Sequence, residues 1–264
     1  MKKFLLGLAL IATSTFSHTV LAAGEVNLLD AVSRTSYYKG FSWEDGRFEA
    51  LVANLGYAKQ VSAHIKKADG SWVDFPLNFV RSTGANKEVW AAQYYIQSWG
   101  GGTNNLPPTG DIIEFAIKYQ VNGQTYWDNN GSLNYKLPHG AGSLLGKDVN
   151  VVLANYNPSV NLGLATNLIG QITLRNIAPA KNVKVIYTTD NWATTKEAAA
   201  GFSPYFAMGY SYVSNPNSLG FEEWTYNLEV GNASKVEYAI SYTVNGKTYW
   251  DNNQGRNYVT TISH

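Results

Sequence analysis

The chain has 264 residues, of which 45% are hydrophobic, 14% aromatic and 15% charged. This balance excludes an intrinsically disordered chain, and the length accommodates one or two domains. A formal net charge of +1 gives no basic footprint for a nucleic acid, and zero cysteines exclude a disulfide scaffold and a thiol nucleophile.

The N-terminal residues have the sequence pattern of an export signal. Two lysines follow Met1, an apolar stretch runs from Phe4 to Ala12, and small residues end the segment at Ala22 and Ala23. This order predicts a secretory signal peptide over residues 1–23, with an apolar stretch too short to span a membrane. Removal of residues 1–23 would take away two of the 20 basic side chains and none of the 19 acidic ones, so the remaining chain would have a net charge of −1. We therefore expect a secreted or periplasmic protein without a membrane span.

Two long segments of the chain nearly repeat each other. Residues 114–135 read EFAIKYQVNGQTYWDNNGSLNY, residues 237–258 read EYAISYTVNGKTYWDNNQGRNY, and 15 of these 22 positions are identical. Only two copies at so long a period indicate tandem domains rather than a solenoid. The predicted organisation is a first module over residues 24–138, a linker over 139–147 and a second module over 148–264.

Each unit has the pattern of a β-protein. Short runs of alternating apolar residues are separated by Asp-Gly and Asn-Gly turns, and no long stretch has a clear helical period. The predicted strands cover residues 47–55, 60–66, 88–96 and 111–121 in the first unit, and residues 161–176, 182–188, 223–230 and 235–244 in the second. The expected fold class is all-β, with two tandem immunoglobulin-like β-sandwich domains.

The last hairpin of each unit can be resolved to individual residues. Asn-Gly at positions 122 and 123 is typical of a two-residue type I′ turn, which pairs Tyr119 with Tyr126 and Lys118 with Trp127. Because side chains alternate across a strand, Tyr126 is predicted to face the core and Trp127 to face outwards. The second unit repeats this register, which places Trp250 outside as well.

Each outward tryptophan is followed by the same Asp-Asn-Asn run. A flat indole suits the apolar face of a pyranose ring, and an asparagine amide offers both a donor and an acceptor to neighbouring hydroxyls. Asn and Asp also favour tight turns, so the run has a structural interpretation too. Asp128 is the member of the run that we most expect to be structural.

The motif YxVNGxxYWDNNxxxNY, with Asp-Asn-Trp upstream of it, resembles the family 21 carbohydrate-binding modules, a starch- and glycogen-binding family. The resemblance covers both units and nearly the whole chain after residue 23. It implies an immunoglobulin-like β-sandwich that binds α-glucan and performs no catalysis.

The resemblance also implies site residues, carried over by position in this sequence. In the second unit they are Trp192, Trp250, Asn252 and Asn257, with Glu222 and Asp251 in support. In the first unit they are Trp72, Trp127, Asn129 and Asn134, with Glu88 and Asp128 in support. A candidate second site, at Tyr57 and Lys59, is implied in the first unit alone.

The chain departs from the family pattern at two places. Ala116 and Ala239 stand where a tyrosine would sandwich the sugar, which puts the affinity and the choice of glucan in question. In the first unit the upstream motif is Asp-Gly-Ser-Trp, so Trp72 comes one residue later than Trp192 does in the second.

No motif for catalysis, a metal or a cofactor accompanies these residues. His64 lies on a predicted strand and belongs to no ligand pair, so we expect it to be a strand-surface or core residue. A glycosidase needs two carboxylates about 5–10 Å apart across a cleft, and two small sandwiches leave no obvious catalytic domain. We therefore expect a non-catalytic binder of polysaccharide, without a cofactor, beside a separate glucan-degrading enzyme.

Two alternatives stay open. The aromatic-rich stretch between Phe202 and Ile240 is also typical of a surface adhesin or matrix protein that recognises another glycan or a protein. A glycoside hydrolase is the less favoured one.

Overall fold

The computed structural model of the protein describes residues 24–97, 104–154, 159–162, 166–202, 205–208 and 211–263. The predicted signal peptide lies outside these residues. The strands of the first repeat and the connection are β1 (Val26–Tyr38), β2 (Phe41–Ala53), β3 (Lys59–Lys66), β4 (Trp72–Ser82), β5 (Lys87–Gln97), β6 (Ile112–Val121), β7 (Gln124–Asp128), β8 (Tyr135–Pro138) and β9 (Gly142–Leu145). Those that follow are β10 (Val151–Leu153), β11 (Ser159–Leu162), β12 (Thr166–Arg175), β13 (Lys181–Thr188), β14 (Lys196–Ala199), β15 (Gly201–Phe202), β16 (Tyr205–Met208), β17 (Ser211–Ser214), β18 (Phe221–Glu229), β19 (Lys235–Val244), β20 (Lys247–Asp251) and β21 (Tyr258–Thr261).

The all-β fold class is confirmed. One short 3₁₀ helix, Asn253–Gly255, interrupts the strands. Within the described ranges no helix is long and apolar enough to cross a membrane.

The first repeat is a sandwich made by folding one path of strands over itself. The strands follow the order β7-β6-β3-β4-β5-β2-β1-β9, and β8 adds to β6. Strand β4 belongs to both layers, because it pairs with β3 from Trp72 to Leu77 and, after that, with β5. The layers meet in the core, where the ring centroids of Phe48 on β2 and Phe115 on β6 are 4.9 Å apart.

The second repeat has the same two layers with the crossing strand divided in two. One sheet has the order β10-β12-β18-β15, with β11 on β12, and the other has the order β14-β13-β19-β20, with β21 on β19. The short strands β14 and β15 stand where β4 stands in the first repeat. The predicted strand over residues 161–176 is wrong as a single element, because β11 pairs antiparallel with β12.

The predicted hairpin register is confirmed in both repeats. Tyr119 pairs with Tyr126 and Lys118 with Trp127 across β6 and β7. In the second repeat Trp250 is opposite Ser241. Both tryptophans therefore lie on the outer face of their sheet.

The connection between the repeats is more structured than a linker. Residues 139–147 were predicted to form the linker, yet β9 lies inside this segment and pairs antiparallel with β1 over Asp30–Ser33. The core of the first repeat also includes Val149, Val152 and Phe221, which come after that segment. Residues of the second repeat thus contribute to the hydrophobic core of the first. The domain boundaries at residues 138 and 148 remain a prediction.

Candidate functional site

The outer face of the second repeat carries a cavity of about 250 Å³. It is lined by all four residues that the sequence predicts for this repeat, together with three small or aliphatic ones: Trp192, Trp250, Asn252, Asn257, Ile186, Ala239 and Gly255. Ala239, where the family pattern has a tyrosine, leaves room for the cavity instead of filling it.

Trp192 is held by a capped turn between β13 and β14. Its backbone is left-handed, with φ at 67°, a conformation that a bulky residue adopts only under constraint. Its N–H donates to the hydroxyl of Thr188 over 3.0 Å, and Asp190 accepts from the N–H of Thr194 over 2.9 Å. These bonds aim the indole at the cavity from one side.

Glu237 fixes the other end of the Trp192 side chain. The indole N–H donates to its carboxylate over 2.7 Å, and Lys235 donates to the second carboxylate oxygen, also over 2.7 Å. The hydrogen bond from Lys235, assisted by that from Trp192, lowers the pKa of Glu237, so this carboxylate stays ionised. Glu237 is not among the residues predicted from the sequence, although it is the first identical residue of the repeated segment and corresponds to Glu114 in the first repeat.

The loop after Trp250 supplies the two amides. Asn252 accepts from the N–H of Gly255 through its side-chain oxygen over 2.9 Å, and its carbonyl accepts from the N–H of Asn257 over 2.8 Å. Among the described residues, neither the Asn252 amide nitrogen nor the Asn257 side chain has a hydrogen-bond partner. Both amides are therefore available to a molecule in the cavity.

The two aspartates of the repeated run have a structural role. Asp251 accepts from the N–H of Leu153 over 2.7 Å and from the hydroxyl of Tyr258 over 2.8 Å, and burial raises its pKa. Asp128 makes the equivalent bonds, to the N–H of Leu28 and the hydroxyl of Tyr135. Each aspartate ties its loop to the first strand of its own repeat.

The first repeat brings its two predicted tryptophans together around a histidine. The His64 ring stacks on Trp72, with centroids 5.1 Å apart and planes 9° apart, and meets Trp127 edge-on at 5.2 Å. Asp74 accepts from Lys118 over 2.7 Å and lies 2.6 Å from the His64 ring. The site is therefore an aromatic platform, with Trp72 exposed by 37% and Trp127 by 46%.

The later position of Trp72 explains the difference between the two sites. Trp72 begins strand β4 and pairs with Lys66, whereas Trp192 lies in a loop. The amides differ as well. Asn129 caps the N–H of Ser132 over 3.0 Å, much as Asn252 caps its own turn, but Asn134 donates to Glu114 over 3.0 Å.

The supporting glutamates lie apart from the cavity residues. Glu88 and Glu222 each bind a buried lysine and the indole N–H of a neighbouring tryptophan: Glu88 binds Lys59 and Trp90, and Glu222 binds Lys181 and Trp224. Both carboxylates are thus engaged in contacts within the sandwich, and their support of a sugar stays a prediction.

The two residues of the candidate second site differ in their exposure. Tyr57 is fully exposed, but the Lys59 side chain is only 4% exposed and its ammonium contacts Asn54 and Glu88. Of this pair, Tyr57 alone presents its side chain to a ligand.

A model of the carbohydrate/starch-binding module (family 21) matches residues 49–138 and 147–261. The chain belongs to this family. One match falls in each repeat, and each match includes the shared motif that carries Trp127 or Trp250.

Similar proteins carry such a module as part of a longer chain. The chain is 34% identical over 96 residues to glucoamylase 1 of Rhizopus oryzae, covering 36% of this chain and 14% of that protein. It is 33% identical over 92 residues to protein phosphatase 1 regulatory subunit 3B of Danio rerio, covering 35% and 30%. GLC7-interacting protein 2 of Saccharomyces cerevisiae is 31% identical over 163 residues, covering 60% and 28%. The chain spans less than a third of the length of each of these relatives.

Among solved structures, the starch-binding domain of Rhizopus oryzae glucoamylase in complex with beta-cyclodextrin and maltoheptaose is 28% identical. It covers 46% of this chain and 99% of that chain, with a TM-score of 0.31.

Proposed function

We propose that the protein is an exported, non-catalytic α-glucan-binding protein with one site in each repeat. The observation that carries this proposal is the cavity of the second repeat, where Trp192, Trp250, Asn252 and Asn257 meet although 58 residues separate the two tryptophans. Membership of a carbohydrate-binding family supports the ligand class.

The chemistry of the cavity suits a glucose unit. Two indoles and two aliphatic side chains offer apolar area to the C–H faces of a pyranose, at little cost in side-chain entropy. The amide nitrogen of Asn252 and the amide group of Asn257 offer donors and an acceptor to the hydroxyls at its rim. No charged side chain lines the cavity among the described residues, which favours a neutral glycan.

The first repeat offers a different surface for the same ligand. Trp72, His64 and Trp127 form a shallow aromatic platform, on which a sugar ring can stack without being enclosed. Each such site is weak by itself, because a few contacts must offset the freedom lost on binding. Two sites on one chain raise the avidity for a repeating polymer by roughly 10²–10⁴ when both engage.

The cellular setting belongs to the proposal too. The signal-peptide pattern of residues 1–23 supports export, to the periplasm or the medium. A protein that holds starch- or glycogen-like polymer outside the cell would act beside a separate glucan-degrading enzyme.

Binding to insoluble starch tests the proposal. We expect the protein without residues 1–23 to be retained on starch but not on cellulose or chitin. Trp127→Ala and Trp250→Ala should each weaken retention, and the double variant should lose it. Tyr37→Ala, which removes an exposed aromatic outside both sites, is the matched control. Equal retention of wild type and double variant, or equal retention on all three polymers, would contradict the proposal.

A further inference from the structure

A second, larger cavity lies between the repeats and shares a wall with the first. It has a volume of about 330 Å³, within the range of roughly 300–1,000 Å³ that is typical of ligand pockets. Trp250 and Asn252 line both cavities. The two cavities therefore adjoin at Trp250, which is central to the proposed glucan site.

We infer that this inter-repeat cavity is a subsite that receives the next glucose units of the α-glucan chain bound at Trp192 and Trp250. The inference rests on the proposed function and extends it from one sugar-sized pocket to a longer groove.

The lining shares aromatic rings and amides with the first cavity and adds charged side chains that the first cavity lacks: Arg81, Lys147, Asp148, Lys247 and Asp251. Tyr249 and Trp250 supply rings, and Asn150 and Gln254 supply amides. Neither the Asn150 nor the Gln254 side chain has a hydrogen-bond partner among the described residues, and the side-chain oxygen of Gln254 is buried without a donor. A buried acceptor without a donor is costly, and a ligand hydroxyl that donates to this oxygen would remove that cost.

The first repeat builds the opposite wall. Arg81 donates to the side-chain oxygen of Asn253 over 3.4 Å, and its guanidinium lies 5.7 Å from the centre of the Tyr258 ring. The N–H of Gly84 donates to the carbonyl of Asn253 over 3.1 Å. These contacts hold the cavity in a fixed shape, so the subsite needs both repeats.

The motif of the first repeat lacks the amide that the motif of the second repeat contributes to this subsite. Gly131 stands in the first repeat where Gln254 stands in the second. The asymmetry predicts that lengthening a bound oligosaccharide increases affinity at the second repeat through groups that the first repeat lacks.

Calorimetric titration with two oligosaccharides tests the inference. The experiment uses the whole chain after residue 23 with Trp127→Ala, so that the first-repeat site is silent. We expect maltoheptaose to bind more tightly than maltotriose. Adding Asn150→Ala and Gln254→Ala together should weaken maltoheptaose binding on the order of tenfold, the effect of one or two net hydrogen bonds, and should leave maltotriose binding unchanged. Arg256→Ala, on the same loop but outside both cavities, is the matched control.

Hydrogen exchange on the Trp127→Ala protein gives a second readout that does not depend on the cavity variants. We expect maltoheptaose, but not maltotriose, to slow amide exchange over residues 147–152. Unchanged maltoheptaose affinity in the cavity variants, with maltotriose still bound, would overturn the subsite and leave the proposed function intact. Failure of both oligosaccharides to bind the Trp127→Ala protein would overturn the proposed function and the subsite together.

Discussion

At the scale of single residues, the position of Trp192 depends on an ionised carboxylate. Glu237 accepts from its indole N–H, and the pKa of Glu237 is lowered chiefly by the hydrogen bond from Lys235. A lowered pKa means that the carboxylate form, and the stability it contributes, is present above the ordinary glutamate value of about 4.3 and is lost as the pH falls through the lower folded value.

We therefore expect glucan binding at the second repeat to be constant from pH 7 to about pH 5 and to fall only below the ordinary range of glutamate. Glu237→Gln should weaken binding several-fold at neutral pH, because the neutral amide is a weaker acceptor for the indole than a carboxylate. Fluorescence titration with maltoheptaose in the Trp127→Ala background would measure both effects. A binding curve that declines already between pH 7 and pH 6 would contradict this dependence.

Gly84 is the second residue on which the site depends, and it lies in the other repeat. A Cβ at this position would come 1.7 Å from the backbone oxygen of Gln254, whereas a Cβ at Gly110 would meet nothing within 4 Å. Neither glycine has a positive φ. A difference between the two alanine variants would therefore come from the close approach of Gly84 to the Gln254 backbone.

Gly84→Ala should therefore separate the two repeats locally, at a cost of about 1–3 kcal/mol, and should weaken glucan binding by shifting the loop that carries Asn252 and Asn257. Chemical denaturation and calorimetric titration would measure the two effects. Gly110→Ala should change neither, and an equal loss in both variants would argue against the close approach as the cause.

At the scale of elements, a buried ion pair recurs in each sandwich. Lys59 pairs with Glu88 and Lys181 with Glu222, and the two lysine side chains are 4% and 3% exposed. In the first repeat the pair joins the start of β3 to β5, which carries Trp90, and in the second it joins the start of β13 to β18, which carries Trp224. Buried charges persist only when they are paired, so removing one partner leaves the other uncompensated.

Glu222→Ala is expected to lower the free energy of unfolding by about 3–5 kcal/mol, since it leaves the Lys181 ammonium buried without its carboxylate. Glu197→Ala is the control, because the Glu197–Lys184 pair is exposed and contributes no more than about 1 kcal/mol. Urea denaturation would compare them. Similar losses in the two variants would contradict the structural role given to Glu222.

Hairpins and strands could be predicted from the sequence because their determinants are local. The Asn-Gly turn fixes the pairing of Lys118 with Trp127, and alternation then sets which side chain faces out. The candidate site of the second repeat followed from the resemblance to the family 21 modules. The packing of His64 against Trp72 and Trp127 could not be predicted, because one extra residue moves Trp72 from a loop onto β4, and spacing alone does not show this.

At the scale of the whole molecule, the repeats are joined by contacts that no local pattern encodes. Strand β9 adds to the sheet of the first repeat, and an ion pair of 3.9 Å links Arg34 to Glu223 across the interface. Burial raises the pKa of Glu223 and lowers that of Arg34. The sequence predicted a linker here because small residues, Gly, Ala and Ser, are typical of connections, and in this protein they allow close packing instead.

Shared burial has a thermodynamic consequence. Val149, Val152 and Phe221 complete the core of the first repeat although they follow the connection. Unfolding of the second repeat would expose that core, so the two repeats should unfold in one cooperative transition. We expect a single calorimetric peak for the chain after residue 23. In the Trp127→Ala variant, saturating maltoheptaose should move the whole peak to higher temperature, because a ligand of the native state stabilises everything that unfolds with its site. Two peaks, of which maltoheptaose moves only one, would show instead that the repeats unfold independently and that the interface contributes little to their cooperativity.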